Sequence, residues 1–91
     1  MNERKVNVRV YTPAEVKVNE KADIAIMRCI NGDTGIMRDH DARSYLLGNG
    51  VLRIINDGAE HRFVVFGGFA EVRDNVLTIV TDDAWRLDEP D

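Results

Sequence analysis

One cysteine, two prolines and no apolar run of bilayer length bound what this chain of 91 residues can be. Cys29 has no second cysteine to pair with, which rules out an internal disulfide and fits a reducing compartment. Nothing around it marks an activated thiolate, so it reads as a small apolar residue buried on a strand. Crossing a bilayer takes ~20 consecutive apolar residues, and residues 1–5, Met-Asn-Glu-Arg-Lys, lead into no hydrophobic signal region. The expectation is a soluble, cytoplasmic protein, at most peripheral to a membrane. Basic excess is missing too: 12 Lys and Arg against 16 Asp and Glu give a net charge of −4 and a pI near 5.1. The basic residues are scattered and form no stripe, so nucleic acid is excluded as a partner. A chain this short buries roughly 60–65 % of its unfolded surface, enough for one modest core and no separate catalytic domain.

What is present is period-two alternation. Val6, Val8 and Val10 point one way while Lys5, Asn7, Arg9 and Tyr11 point the other, the pattern of a sheet with one wet face. Pro13 interrupts that ladder and Val16-Lys17-Val18 resumes it. Ile24 and Ile26 share one face of the next strand, with Ala25, Met27 and Cys29 on the other. Residues 63–66 are apolar on both parities and predict a strand covered on both faces, followed by a glycine pair, Gly67-Gly68, that lets the backbone turn or approach a neighbour closely. Asn31-Gly32, Gly48-Asn49-Gly50, Asn56-Asp57-Gly58 and Asp74-Asn75 supply further turn chemistry. Helical periodicity is absent; residues 38–47 tolerate a helix but offer too narrow an apolar stripe. These signals predict an all-β sandwich or barrel of short antiparallel strands over residues 1–84. Residues 85–91 read as an acidic tail that packs weakly after Trp85.

Candidate chemistry is sparse. Asp39-His40-Asp41, with His61 as a second nitrogen, has the residue types of a divalent-metal site, but neighbours on an extended strand point to opposite faces, and a solvated polar loop accounts for them better. Gly32-Asp33-Thr34-Gly35 lacks the Lys-Ser/Thr of a P-loop and the third glycine of a dinucleotide fingerprint, so it reads as a glycine-supported hairpin turn. Glu71 sits on an apolar strand with no carboxylate, histidine or nucleophile to work beside and faces solvent or a partner. Ser44 lacks a nucleophile-elbow context. No cofactor, metal or catalytic residue is predicted.

Gly67-Gly68-Phe69-Ala70-Glu71-Val72, followed by Asn75-Val76-Leu77-Thr78-Ile79 and the acidic Asp82 and Asp83, resembles the amino-terminal domain of the epsilon subunit of F-type ATP synthases. Val6-Asn7-Val8-Arg9-Val10 before Thr12-Pro13, Gly32-Asp33-Thr34-Gly35-Ile36, His40 five residues on, and Gly50-Val51-Leu52-Arg53-Ile54 extend the likeness over about residues 5–84. The resemblance implies an all-β, flattened antiparallel β-sandwich of about ten short strands, ~5 residues each, and a non-catalytic rotor subunit of the central stalk. It would join the gamma subunit to the membrane c-ring and couple ion-driven rotation to ATP synthesis at the cytoplasmic face of the cell membrane. Asp33, Thr34 and Gly35 would contact the c-ring, His40 and Asp41 the gamma subunit, and Gly67, Gly68, Phe69 and Val72 would serve as hinge or core. Two features depart from the family: Arg38 and Ala42 stand where prolines usually flank the histidine, and the sequence ends about where relatives enter a two-helix hairpin. Inhibitory and ATP-binding roles of that hairpin are therefore not carried over. From the residues alone, a free-standing β-sandwich adaptor is the alternative.

Overall fold

The computed structural model describes residues 4–87, and its regular structure among them is all strand. The elements are β1 (Val6–Tyr11), β2 (Val16–Ala22), β3 (Ile24–Cys29), β4 (Gly32–Ile36), β5 (Arg43–Asn56), β6 (Ala59–Arg73), β7 (Val76–Val80) and β8 (Ala84–Leu87). Eight strands stand where about ten were expected because β5 and β6 run on through glycines that read as turns. The sequence ladder between them keeps one register, from Arg43↔Val72 through Leu47↔Gly68 and Asn49↔Phe66 to Asn56↔Ala59. Gly48 and Gly67 therefore fall opposite each other, and there both strands fold over.

That fold-over makes the two layers. The first half of β5 and the second half of β6 carry β7, β1 and β2 at one side, in the order β2-β1-β7-β6-β5. The remaining halves carry β3 and β4 on the β5 side, while β8 pairs with residues 62–65 of β6. Counting each half separately recovers five strands per layer. All pairings are antiparallel except β1 with β7. The inward parities are those the alternation predicts: Val6, Val8, Val10, Leu77, Ile79 and Val72 from one layer, Ala25, Met27, Ile36, Leu52 and Ile54 from the other, all essentially inaccessible. Cys29 is buried among them, as a free thiol.

Gly67 and Gly68 have φ of 61° and 106°, the left-handed half of backbone space where a Cβ is penalised. At Gly68 there is also no room: a Cβ would collide with the Val80 carbonyl and lie 2.9 Å from Thr81 Cα. Close approach, rather than a reversal of the chain, is what the pair provides. Asp57, Asp74 and Asn75 also take positive φ, and these three do sit in tight hairpin turns. Gly32 opens β4, so the turn lies at Ile30-Asn31 and Gly32-Asp33-Thr34-Gly35 is strand, not hairpin loop. Trp85 likewise is not the start of a loose tail: Ala84–Leu87 pairs with β6, and the Trp85 ring stacks on Phe66 at 4.9 Å between centroids. The last four residues of the predicted tail lie outside the described residues.

Two polar clasps hold the ends of the sandwich. Where the chain crosses from β7 to β8, Thr81 is buried and donates to the Phe66 carbonyl at 2.9 Å, with the Asp83 carbonyl 3.2 Å away. Thr81→Val keeps the volume and removes the donor, so about 1–2 kcal/mol should be lost in urea unfolding; an unchanged midpoint would show that water replaces the hydroxyl. At the opposite end Lys5 Nζ reaches Asp23 Oδ1 at 2.7 Å and Asp57 Oδ1 at 2.8 Å, and the Asp57 backbone N–H donates to Asp23 Oδ2. The Lys5 ammonium and that N–H hold the Asp23 carboxyl below its usual 3.8, so the stability this carboxylate contributes is present above that value and is lost as pH falls through the depressed one. The Asp23 and Asp57 carboxylates raise Lys5 above its usual 10.5, so its share is fully present below 10.5 and is lost as pH rises through the raised value. The wild-type melting temperature should fall more steeply than that of Asp23→Asn as pH drops below ~4; parallel acid profiles would exclude the clasp as the cause.

Candidate partner-docking surfaces

The outer face of the first layer carries an uncovered apolar row. Strand parity puts Tyr11, Phe69, Val80 and Leu46 on the solvent side, opposite to the buried Val10, Ala70, Ile79 and Leu47. Register then aligns them: Val16↔Tyr11, Tyr11↔Val80, Val80↔Phe69 and Phe69↔Leu46. Leu46 is 62 % exposed, Val16 54 %, Phe69 51 % and Val80 38 %. Singly, exposed apolar side chains mean little, but a contiguous row across five strands is ~19 Å long at ~4.8 Å per strand and marks an interaction surface. Ile30, also exposed, extends it, since the Ile30 N–H donates to the Leu46 carbonyl at 3.1 Å. A shallow groove lined by Tyr11, Pro13, Phe69 and Val80 runs beside the row.

Phe69 is therefore not core, although the sequence groups it with the hinge residues. It shares the outward parity of Glu71, whereas Val72 is buried as expected. An aromatic beside two glycines carries no parity of its own, and the inward Ala70 and Val72 are the signal that sets it.

The β4 residues form a second, polar surface. Asp33 and Gly35 are exposed on this edge strand, and Thr34 is half-buried. Asp33 is engaged: its carboxylate accepts from Nε of Arg28, its cross-strand neighbour, at 2.8 Å. A partner taking Asp33 would compete with an exposed pair worth under ~1 kcal/mol, which is a weak latch. His40 and Asp41 lie in the loop between β4 and β5. The His40 ring is set by the Asp41 carbonyl at 2.7 Å from Nδ1 and the Tyr45 hydroxyl at 3.3 Å from Nε2. The Asp39 N–H donates to Asn75 Oδ1 at 2.6 Å, tying the loop to the β6–β7 turn despite the absent prolines. β4 separates the two groups: Gly32 is level with Cys29 and Leu47, Ile36 with Ala25, and the loop continues away to Asn75. No hydrogen bond or ion pair joins Asp33 to His40 among the described residues.

Among the described residues the histidines are not brought together with one another. His61 lies on β6 with Nδ1 3.0 Å from Glu20 Oε1, apart from the Asp39-His40-Asp41 loop. Among the described residues no three or more His, Cys, Asp or Glu side chains are placed to hold a metal ion. No helix there is long and apolar enough to cross a membrane.

Residues 5–87 match the family model of the ATP synthase delta/epsilon chain β-sandwich domain. The ATP synthase epsilon chain of Gluconacetobacter diazotrophicus is 34 % identical over 85 residues, 92 % of this chain and 60 % of that relative. The epsilon chain of Pelotomaculum thermopropionicum is 30 % identical over 91 residues, 100 % and 68 %. Among solved structures, a chain of the Euglena gracilis mitochondrial ATP synthase OSCP/F1/c-ring assembly superposes with a TM-score of 0.87 at 26 % identity, covering 100 % of this chain and 59 % of that one. The chain thus spans about three fifths to two thirds of the length of these relatives.

Proposed function

We propose that this chain, which belongs to the delta/epsilon β-sandwich family of ATP synthases, is a non-catalytic element of the central stalk that joins a gamma subunit to the membrane c-ring. The observation that carries the reading is the apolar row on the first layer, a ready seat for a gamma subunit. The exposed β4 edge, with Asp33, Thr34 and Gly35, is the proposed ring contact. A carboxylate there meets basic or amide groups of the ring's polar loops through charge-assisted hydrogen bonds. His40 and Asp41, held by Tyr45 and the β6–β7 turn, are the proposed rotor contact beside the gamma seat.

The work asked of the chain is mechanical. Torque passes through a body whose interior is close-packed and deforms little, and the fold-over of β5 and β6 makes two covalently continuous strands common to both layers. No group transfers a proton or bond. On this reading the chain sits at the cytoplasmic face of the cell membrane, held there by its contacts with the ring and the gamma subunit.

The test is assembly. Purified chain mixed with a gamma subunit should co-elute as a stable complex, and adding detergent-solubilised c-ring should shift the complex further. Elution of the chain alone at micromolar concentrations would remove the stalk reading and leave the free-standing adaptor.

A further inference from the structure

Next to the apolar row, one pleat along the strands, runs a polar row on the same outer face: Asn19, Arg9, Thr78, Glu71 and Ser44, each aligned with the next across β2, β1, β7, β6 and β5. Two of its members are charged and of opposite sign, and neither Arg9 Nε nor the Glu71 carboxylate has a protein partner among the described residues. Arg9 is half-buried with its Nε out of reach of water and without a hydrogen-bond acceptor. Glu71 is exposed and, among the described residues, makes no hydrogen bond or ion pair. Thr78 lies between them, so the charges stand two strands apart, ~9.6 Å at the usual spacing. Several cations and carboxylates elsewhere in the fold do find partners, as Arg53 does with Glu60, Lys5 with Asp23 and Arg28 with Asp33. A buried guanidinium nitrogen left without an acceptor costs stability, and an acceptor supplied by a docked partner would remove that cost.

We infer that Arg9 and Glu71 are the polarity-setting contacts of the docking face, and that the segment seated on it is an amphipathic helix laid across the strands, carrying an acidic residue for Arg9 and a basic residue for Glu71 one heptad apart. This rests on the stalk reading and adds the partner's chemistry to it. The apolar row crosses the strands instead of following one, which suits a helix rather than an added strand. Seven helical residues rise ~10.5 Å and return a side chain to the same face, matching the separation of the two charges. The apolar row alone would accept a helix in either direction. An opposed pair of charges accepts only one, because reversal sets carboxylate against carboxylate and cation against cation.

The test measures binding of the folded chain to its gamma subunit by titration calorimetry. Arg9→Glu and Glu71→Arg should each weaken binding ~10-fold or more. The double variant, whose net charge equals that of the wild type, should bind no better than either single one. Arg9→Met should keep or raise the melting temperature while weakening binding, which separates a docking role from a structural one. Wild-type affinity of both single variants, or its recovery in the double variant, overturns the inference even where Phe69→Asp destroys binding. If Phe69→Asp binds normally as well, the docking face itself is wrong.

Discussion

Gly68→Ala is expected to lower the melting temperature by about 12–24 °C, equivalent to ~3 kcal/mol in a domain of this size. Two costs combine. A φ of 106° is strained for any residue with a Cβ, and that Cβ would drive into the Val80 carbonyl, with Thr81 Cα 2.9 Å away. Backbone atoms cannot rotate aside as a side-chain tip would. The strands would have to separate where β6 folds from one layer into the other, beside the Thr81 clasp. Gly58→Ala is the matched control, since it has φ of 83° but nothing within 4 Å of the added carbon. Its cost is the conformational penalty alone, ~1–2 kcal/mol. Equal losses for the two variants in thermal unfolding followed by circular dichroism would mean that close approach plays no part at Gly68.

Phe69→Asp should leave the fold intact and weaken gamma-subunit binding by ~100-fold or more, the range of an aromatic interface anchor. Phe69 lies inside the row, between Val80 and Leu46, and half its surface faces water in the free chain. Folding therefore loses little when it is replaced. Binding loses the apolar area of a ring and must in addition desolvate a carboxylate in the centre of a contact. A melting temperature close to wild type together with lost binding is the expected combination. Retained binding would move the seat elsewhere on the chain.

Much of this architecture was legible in the residues. Val6, Val8 and Val10, and Ala25, Met27 and Cys29, are buried on the parities their alternation gives. Asp57, Asp74 and Asn75 do take left-handed conformations in turns. Glycine was the ambiguous letter. Gly58 closes a hairpin, whereas Gly48 and Gly67 mark facing bends inside unbroken strands, and Gly68 a near contact. The same freedom serves all three uses, so only the partner strand tells them apart. The docking row was hidden for another reason: Tyr11, Val16, Leu46, Phe69 and Val80 are far apart in sequence and become neighbours only through the register. Nothing local marks Arg9 or Glu71 either, because the lack of a partner is a property of the folded face. Residues 85–91 read as a tail because they are acidic and show no strand alternation, yet Asp82 and Asp83 form the crossover that delivers β8 to β6.

Rotation-coupled synthesis is the direct measure of the stalk account. ATP formation driven by an imposed ion gradient would be followed in vesicles containing the reconstituted enzyme, with the chain present, absent, or replaced by Phe69→Asp. Synthesis restored by the wild-type chain alone, at unchanged ATPase catalytic-site content, is the predicted result. Equal synthesis in all three preparations would contradict a role in joining gamma to the ring.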